Sequence, residues 1–309
     1  MHLENNSTQL LDRPGTTGGV GQKAPTISQI RLEFGSDSPL LSPKRFVTDG
    51  VRDLLSAREA AYRLFRSSIA LRYKRSSLGL FWAFAPTILM AATVTVGQKA
   101  HLTAFASTGV PPQFYAIFGL VLLQTFLDAF NALRLVFVSN RTLLFHHRTI
   151  MEASLLAGLG DNLFALSLRF LLLIGVFLLC GVVPAATAVV GLVGLLILAG
   201  LGATCGLLVA PLNGVKGDLN HLAGFLPLLL MACTPVVVKP PSGSFIESLC
   251  RLNPLTGFFD AVRAFSYGHA TVADVAVFVT VTILVIVSLP ASWMFCRIAR
   301  SYVLERSII

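Results

Sequence analysis

The stretch FYAIFGLVLLQTFLDAFNALRLVFV, Phe114 to Val138, decides the architecture. It exceeds the roughly twenty apolar residues that a helix needs to cross the hydrocarbon of a bilayer, so it reads as a transmembrane span. Yet it carries Gln124, Asp128, Asn131 and Arg134, spaced by four, three and three residues, which sets them along one helical stripe. A charge at the centre of a bilayer costs about 3 kcal/mol or more, so these groups are expected to face the interior of a bundle and find partners there.

The next apolar segment, Ser154 to Val183, supplies candidates in Asp161, Asn162 and Arg169. The two spans are joined by one loop and run antiparallel. A single register then sets Asp128 level with Arg169 and Arg134 level with Asp161, the two pairings disagreeing by only about 3 Å of rise. Two ion pairs are therefore expected to clamp the spans together. The alternative is that one or more of these groups lines a water-filled path.

Working outward, the whole chain has the same character. Of 309 residues 54% are hydrophobic and 13% charged, with a mean hydropathy of +0.74, more apolar surface than one soluble core hides. The reading is an all-α integral membrane protein with six spans: Leu78 to Val96, Phe114 to Val138, Ser154 to Val183, Ala186 to Leu212, His221 to Val238 and Val272 to Cys296. Pro227 and Pro235 interrupt the fifth. Cations near the span ends fix the direction. One side holds twelve, namely Arg58, Arg63, Arg66, Arg72, Lys74, Arg75, Arg141, Arg148, Lys216, Arg297, Arg300 and Arg306, whereas the other holds four, Lys99, Lys239, Arg251 and Arg263. Both termini are thus expected in the cytoplasm.

The net charge of +9 does not point to nucleic acid, because the basic residues flank apolar runs instead of forming a face. The five cysteines, Cys180, Cys205, Cys233, Cys250 and Cys296, show no CxxC spacing, and four of them lie in apolar runs, which argues against a disulfide framework or a zinc site. Nor is there a phosphate-binding GxxxxGK[ST] loop, an HExxH, a GxSxG or a metal-spaced cluster of His, Asp and Glu. The adjacent His146 and His147 cannot both reach one metal from a helix and read as a solvated loop pair. No catalytic, cofactor or metal residues are assigned, and a transport or scaffolding role is left.

The polar stretch 1–52 reads as a disordered cytoplasmic tail, 53–77 as an interface helix, 78–300 as the six-span domain and 301–309 as a short cytoplasmic tail. Within SAREAAYRLFRSSIALRYKR, Ser56 to Arg75, Ser56 and Glu59 form an S-x-x-E capping box. Ala61, Tyr62, Phe65, Ile69 and Tyr73 recur on one face. Such a helix is expected to lie in the membrane plane, with Arg58 and Arg72 snorkelling to the headgroups. Between spans five and six, FIESLCRL and TGFFDAVRAF read as two short amphipathic helices broken at Asn253-Pro254. They suit either a pair dipping into the outer leaflet or a lid on the outer surface.

The segment from Ile69 to Trp82, IALRYKRSSLGLFW, with Pro86 beyond it, resembles the entry to the first span in the permease subunits of ABC exporters for lipid-linked polysaccharides, the O-antigen, capsule and teichoic acid type. A second stretch, LNPLTGFFDAVRAFSYG from Leu252 to Gly268, is similar to the family's segment before the last span. The likeness covers about Ser56 to Arg300. One departure is the loop after span two, SNRTLLFHHRTIMEAS, which has Phe145 but lacks the proline that often follows in relatives.

The resemblance implies a homodimeric permease in the inner membrane that binds two copies of a separate ATPase subunit, with ATP on that partner. It implies that Arg72, Tyr73, Lys74 and Arg75 meet the lipid pyrophosphate at the entry. It assigns Asn140, Arg141, His146, His147, Arg148, Lys216 and Asp218 to ATPase coupling, and Asn253, Pro254, Asp260 and Arg263 to a re-entrant exit region. The competing expectations are an ABC permease for a drug or small lipid and a membrane scaffold without transport.

Overall fold

A computed structural model describes residues 43–74, 85, 87–89, 92–93, 96–97, 112–139, 150–179, 186–215, 218–237, 240 and 243–306. Every regular element among them is a helix: α1 Pro43–Ser56, α2 Arg58–Lys74, α3 Pro112–Arg134, α4 Val136–Ser139, α5 Ile150–Leu179, α6 Ala188–Val215, α7 Asp218–Cys233, α8 Phe245–Leu252, α9 Pro254–Tyr267 and α10 Val272–Arg306. Four helices are long and apolar enough to cross a membrane, over Phe114–Arg134, Ile150–Leu178, Ala188–Val215 and Val272–Val303. The chain is an all-α membrane protein. Most of the first expected span, Leu78 to Val96, lies outside the described residues. The fifth is the shorter apolar helix α7, which stops at Cys233 just before Pro235.

The centre of the bundle is α6 packed on α3. Gly202 and Gly206 make a GxxxG pattern, and a Cβ at either would come within 2.3 Å of the Phe126 carbonyl or 2.5 Å of the Phe130 carbonyl. The two backbones therefore touch, as small residues allow in membrane helices. Gly206→Leu is expected to force α3 from α6 at a cost of about 1–3 kcal/mol, and size-exclusion profiles of the purified variant should show aggregation where the parent is monodisperse. Around this pair, Phe114 packs its ring edge on Phe177 at 4.7 Å between centroids, and Phe258 stacks on Phe278 at 5.7 Å.

At Leu135 helix α3 breaks and a turn leads into α4, as Val138 and Ser139 both donate to the Leu135 carbonyl. The carbonyl of Arg134 accepts from the buried Asn213 side chain of α6 at 3.2 Å. At the other end, local chemistry sets α8 and α9. Ser244 accepts from the Glu247 amide while Glu247 accepts from the Gly243 amide, a capping box. Asn253 closes α8 and caps α9, with Pro254 at the first position of α9, and Gly268 ends α9 in the left-handed region at φ 79°.

Two expectations for the N-terminal region are corrected. Residues 43–52, assigned to the tail, are helical, because Phe46, Gly50 and Leu54 recur at helical spacing and pack inward despite the charges between them. Ser56 does not open a helix. Its hydroxyl donates to the Asp53 carbonyl, and the Ala57 and Ala61 amides continue the ladder onto Asp53 and Ala57. The buried face of α2 is also rotated from the expected one, since Tyr62 is exposed, whereas Ala57 and Ala61 pack on Ala153 of α5 and Phe65 sits over Gly160. Small residues on both helices draw α2 along α5 over two turns, from Ala57 at Ala153 to Ser68 at Asp161.

Candidate functional site

A cavity of about 520 Å³ opens between α2, α3 and α5. Its lining includes the apolar Leu64, Leu71, Leu135 and Val136 together with Asp128, Asn131, Asp161, Asn162 and the hydroxyl-bearing Ser67, Ser68 and Ser154. Asp128 and Asn131 of the stripe on α3 and Asp161 and Asn162 of α5 thus meet the same space, with α2 on its third side.

Arg169, almost fully buried, donates to Asp128 and forms an ion pair with it. The second expected pair is not made. Arg134 donates instead to Asn131 at 2.8 Å and to Asn220 of α7 at 2.7 Å, whereas Asp161 accepts from Ser68 of α2 at 2.6 Å. Depth matched but azimuth did not: six residues separate Asp128 from Arg134, which turns them about 120° apart on α3. One seam against α5 holds the first and leaves the second facing α7. Gln124, one turn above Asp128, accepts from Thr87 at 3.2 Å.

Asn162 is 5% exposed and lines the cavity, and its amide oxygen has no hydrogen-bond partner among the described residues. A buried amide oxygen left unmet costs about 1–3 kcal/mol. The site therefore combines a carboxylate of an ion pair, amides and hydroxyls with apolar side chains, a lining suited to an amphiphile. Its size falls within the roughly 300–1,000 Å³ of small-molecule sites.

The expected exit residues form a second, tighter constellation. Asn253 donates to the Cys233 carbonyl at 3.3 Å and the Thr234 hydroxyl at 2.9 Å, so the α8–α9 junction grips the end of α7. Arg263, 3% exposed, donates to the Tyr115 hydroxyl and the Pro235 carbonyl at 2.8 Å each and to the Val236 carbonyl at 2.7 Å, with its guanidinium 3.8 Å from the Tyr115 ring centre. Asp260, half exposed, lies 3.6 Å from it. Burial holds the neighbouring Tyr267 phenol above its ordinary range and outweighs the opposing pull of Arg263, so that ring stays neutral. Arg263 is a structural cross-tie.

A third cluster was not anticipated. Arg297 of α10 pairs with Asp53 of α1 at 2.8 Å and Glu152 of α5 at 3.1 Å, under the rings of Phe46 and Trp293. The sequence counted Arg297 as a flanking cation only. The available signal was Glu152, an acid in the first turn of a long apolar helix.

The side chains of Arg72, Tyr73 and Lys74 at the end of α2, and all of Arg75, lie outside the described residues, as do Asn140, Arg141, His146, His147, Arg148 and Lys216. Asp218 begins α7. Among the described residues no group of three or more His, Cys, Asp or Glu could hold a metal ion.

No protein-family model and no curated protein matches the chain. The likeness to polysaccharide-exporter permeases therefore rests on the two motifs.

Proposed function

We propose that the chain is the permease subunit of an ABC exporter that moves a lipid-linked polysaccharide across the inner membrane. The single observation supporting it is the cavity between α2, α3 and α5, whose lining brings carboxylates and amides of spanning helices together with apolar side chains. Charged and amide groups at bilayer depth are costly and mark substrate paths. In this reading the chain crosses six times, with both termini cytoplasmic, α7 completing the fifth crossing and 78–96 the first. Two copies pair and bind two ATPase subunits through 140–149 and the α6–α7 turn. Arg72, Tyr73, Lys74 and Arg75 continue α2 toward the pyrophosphate entry, and α8 and α9 return into the outer leaflet at the exit.

Filling the cavity tests this. Ala165 lines it, and Ala165→Trp is expected to lower glycan export by an order of magnitude or more in whole cells, with unchanged amounts of inserted protein. Ala165→Ser should export normally. Full export by the Trp variant would sink the assignment of the cavity to the path. A chain that copurifies with no nucleotide-binding subunit from its own cells would overturn the ABC assignment.

A further inference from the structure

Cys233 and Cys250 stand seventeen residues apart in the sequence, yet the fold brings them to one joint. Cys233 is the last residue of α7, and Cys250 lies in the last turn of α8. One residue, Asn253, is bonded to both: its side-chain amide donates to the Cys233 carbonyl at 3.3 Å, and its backbone amide donates to the Cys250 carbonyl at 3.2 Å. Thr234, next to Cys233, accepts from the same Asn253 side chain at 2.9 Å. The end of α7 is thereby fixed against the end of α8. No CxxC spacing marks the two cysteines, because they meet across a joint between helices.

The two thiols differ in their surroundings. Cys233 is half-buried, whereas Cys250 is 3% exposed. Burial pushes the Cys250 thiol above its ordinary range, and the neighbouring Cys233 and Asp260 add to that. A thiol so placed is slow to attack an outside disulfide, but it is well positioned to attack a sulfur brought to it by its neighbour. Cys296, by contrast, spends its thiol on the Leu207 carbonyl, to which it donates at 2.9 Å within the core.

We infer that Cys233 and Cys250 are a redox pair that closes into a disulfide by exchange with a small external disulfide, tying α7 to α8 covalently. The Cys233 thiolate attacks one sulfur of the incoming disulfide, forming a mixed disulfide and expelling the first thiolate. Cys250 then gives up its proton and attacks the Cys233 sulfur, and the second thiolate leaves. Two cysteine thiols are oxidised, and one disulfide is reduced to two thiols that carry the two protons. The chemistry is independent of the cavity and of any cargo. The six-span reading enters only in placing the joint on the side away from the reducing cytoplasm, where a disulfide persists.

The test uses the full chain, purified in detergent and fully reduced, with glutathione disulfide as the probe. Remaining thiols are alkylated after denaturation, and the chain is cut with trypsin and with a glutamate-specific protease, whose cleavage after Glu247 separates the two cysteines. The peptides carrying Cys233 and Cys250 are expected to be joined, with two of the five thiols of the chain lost at these positions. Cys250→Ala should leave Cys233 carrying glutathione. Cys233→Ser should slow modification of Cys250 by about tenfold or more, because a buried thiol with a raised pKa holds little thiolate. Cys233 and Cys250 that both remain open to alkylation in the unsubstituted chain overturn the proposal, as does glutathione that stays on Cys233 with Cys250 free beside it. A joined pair that forms equally well after the chain is first unfolded in dodecyl sulfate also overturns it, since the fold would then not select the partners.

Discussion

Arg263→Ala is expected to cost about 3–5 kcal/mol of stability, the largest effect of any single substitution named for this protein. The charge itself is not the main loss, since Asp260 stays half in solvent when its partner goes. The loss is in acceptors. The Val236 carbonyl keeps no donor, the Pro235 carbonyl keeps only the longer 3.2 Å bond from Tyr115, and the Tyr115 ring loses the cation over its face. Arg263→Lys should fall between, because an ammonium reaches these groups as a point and lacks the guanidinium fork. A control that leaves the arginine in place is Gly119→Ala, whose new methyl would lie 1.8 Å from the Val236 carbonyl oxygen and 2.2 Å from the guanidinium. Both variants should lower the midpoint of thermal unfolding in detergent. An Arg263→Ala midpoint equal to that of the parent would show that the cross-tie carries no stability.

Arg297→Ala ranks second, at about 3 kcal/mol, the lower end of the range for stripping a partner from a buried charge. Glu152 is 2% exposed and one of its oxygens already has no hydrogen-bond partner among the described residues. Removing Arg297 leaves that carboxylate facing Asp53, with Arg300 as the remaining nearby cation among the described residues. The double variant Arg297→Gln, Glu152→Gln removes the problem with the solution, and most of the lost stability should return. Thermal midpoints of the two single variants and the double one give the coupling. Strictly additive losses would mean that the pair does not interact in solution. Freed α1 should also become cleavable by protease near Arg52 in the single arginine variant.

The four long helices were legible because apolar length at this scale has few alternative explanations, and Asn253-Pro254 marked the α8–α9 joint because that pair ends one helix and begins another. Asp128 and Arg169 could be matched by depth alone. Arg134 could not, since equal depth says nothing of azimuth, and the residue that claims it, Asn220, sits on α7, four elements further along the chain. The face of α2 was misjudged for a related reason: the larger residues Tyr62 and Ile69 dominate an amphipathic reading, whereas contact with α5 is set by alanines and a glycine that carry little hydrophobic weight. Arg297 was hidden by its type. A cation past an apolar span is expected at the headgroups, and only the arrival of Asp53 from 244 residues away turns it into a buried node.

Backbone contact between α3 and α6 has a mechanical meaning. Where Gly202 and Gly206 lie against carbonyls, no side chain stands between the helices to change rotamer, so neither helix can slide or roll without breaking the contact outright. The pair is a stator. The contact between α2 and α5 across the cavity is of another kind: it includes Ala57, Ala61 and Ala153 with Leu64 and Leu156, one aromatic ring over a glycine and the Ser68–Asp161 hydrogen bond. The α3–α6 pair is thus the rigid spine of the bundle, and α2 is laid on α5 through side chains.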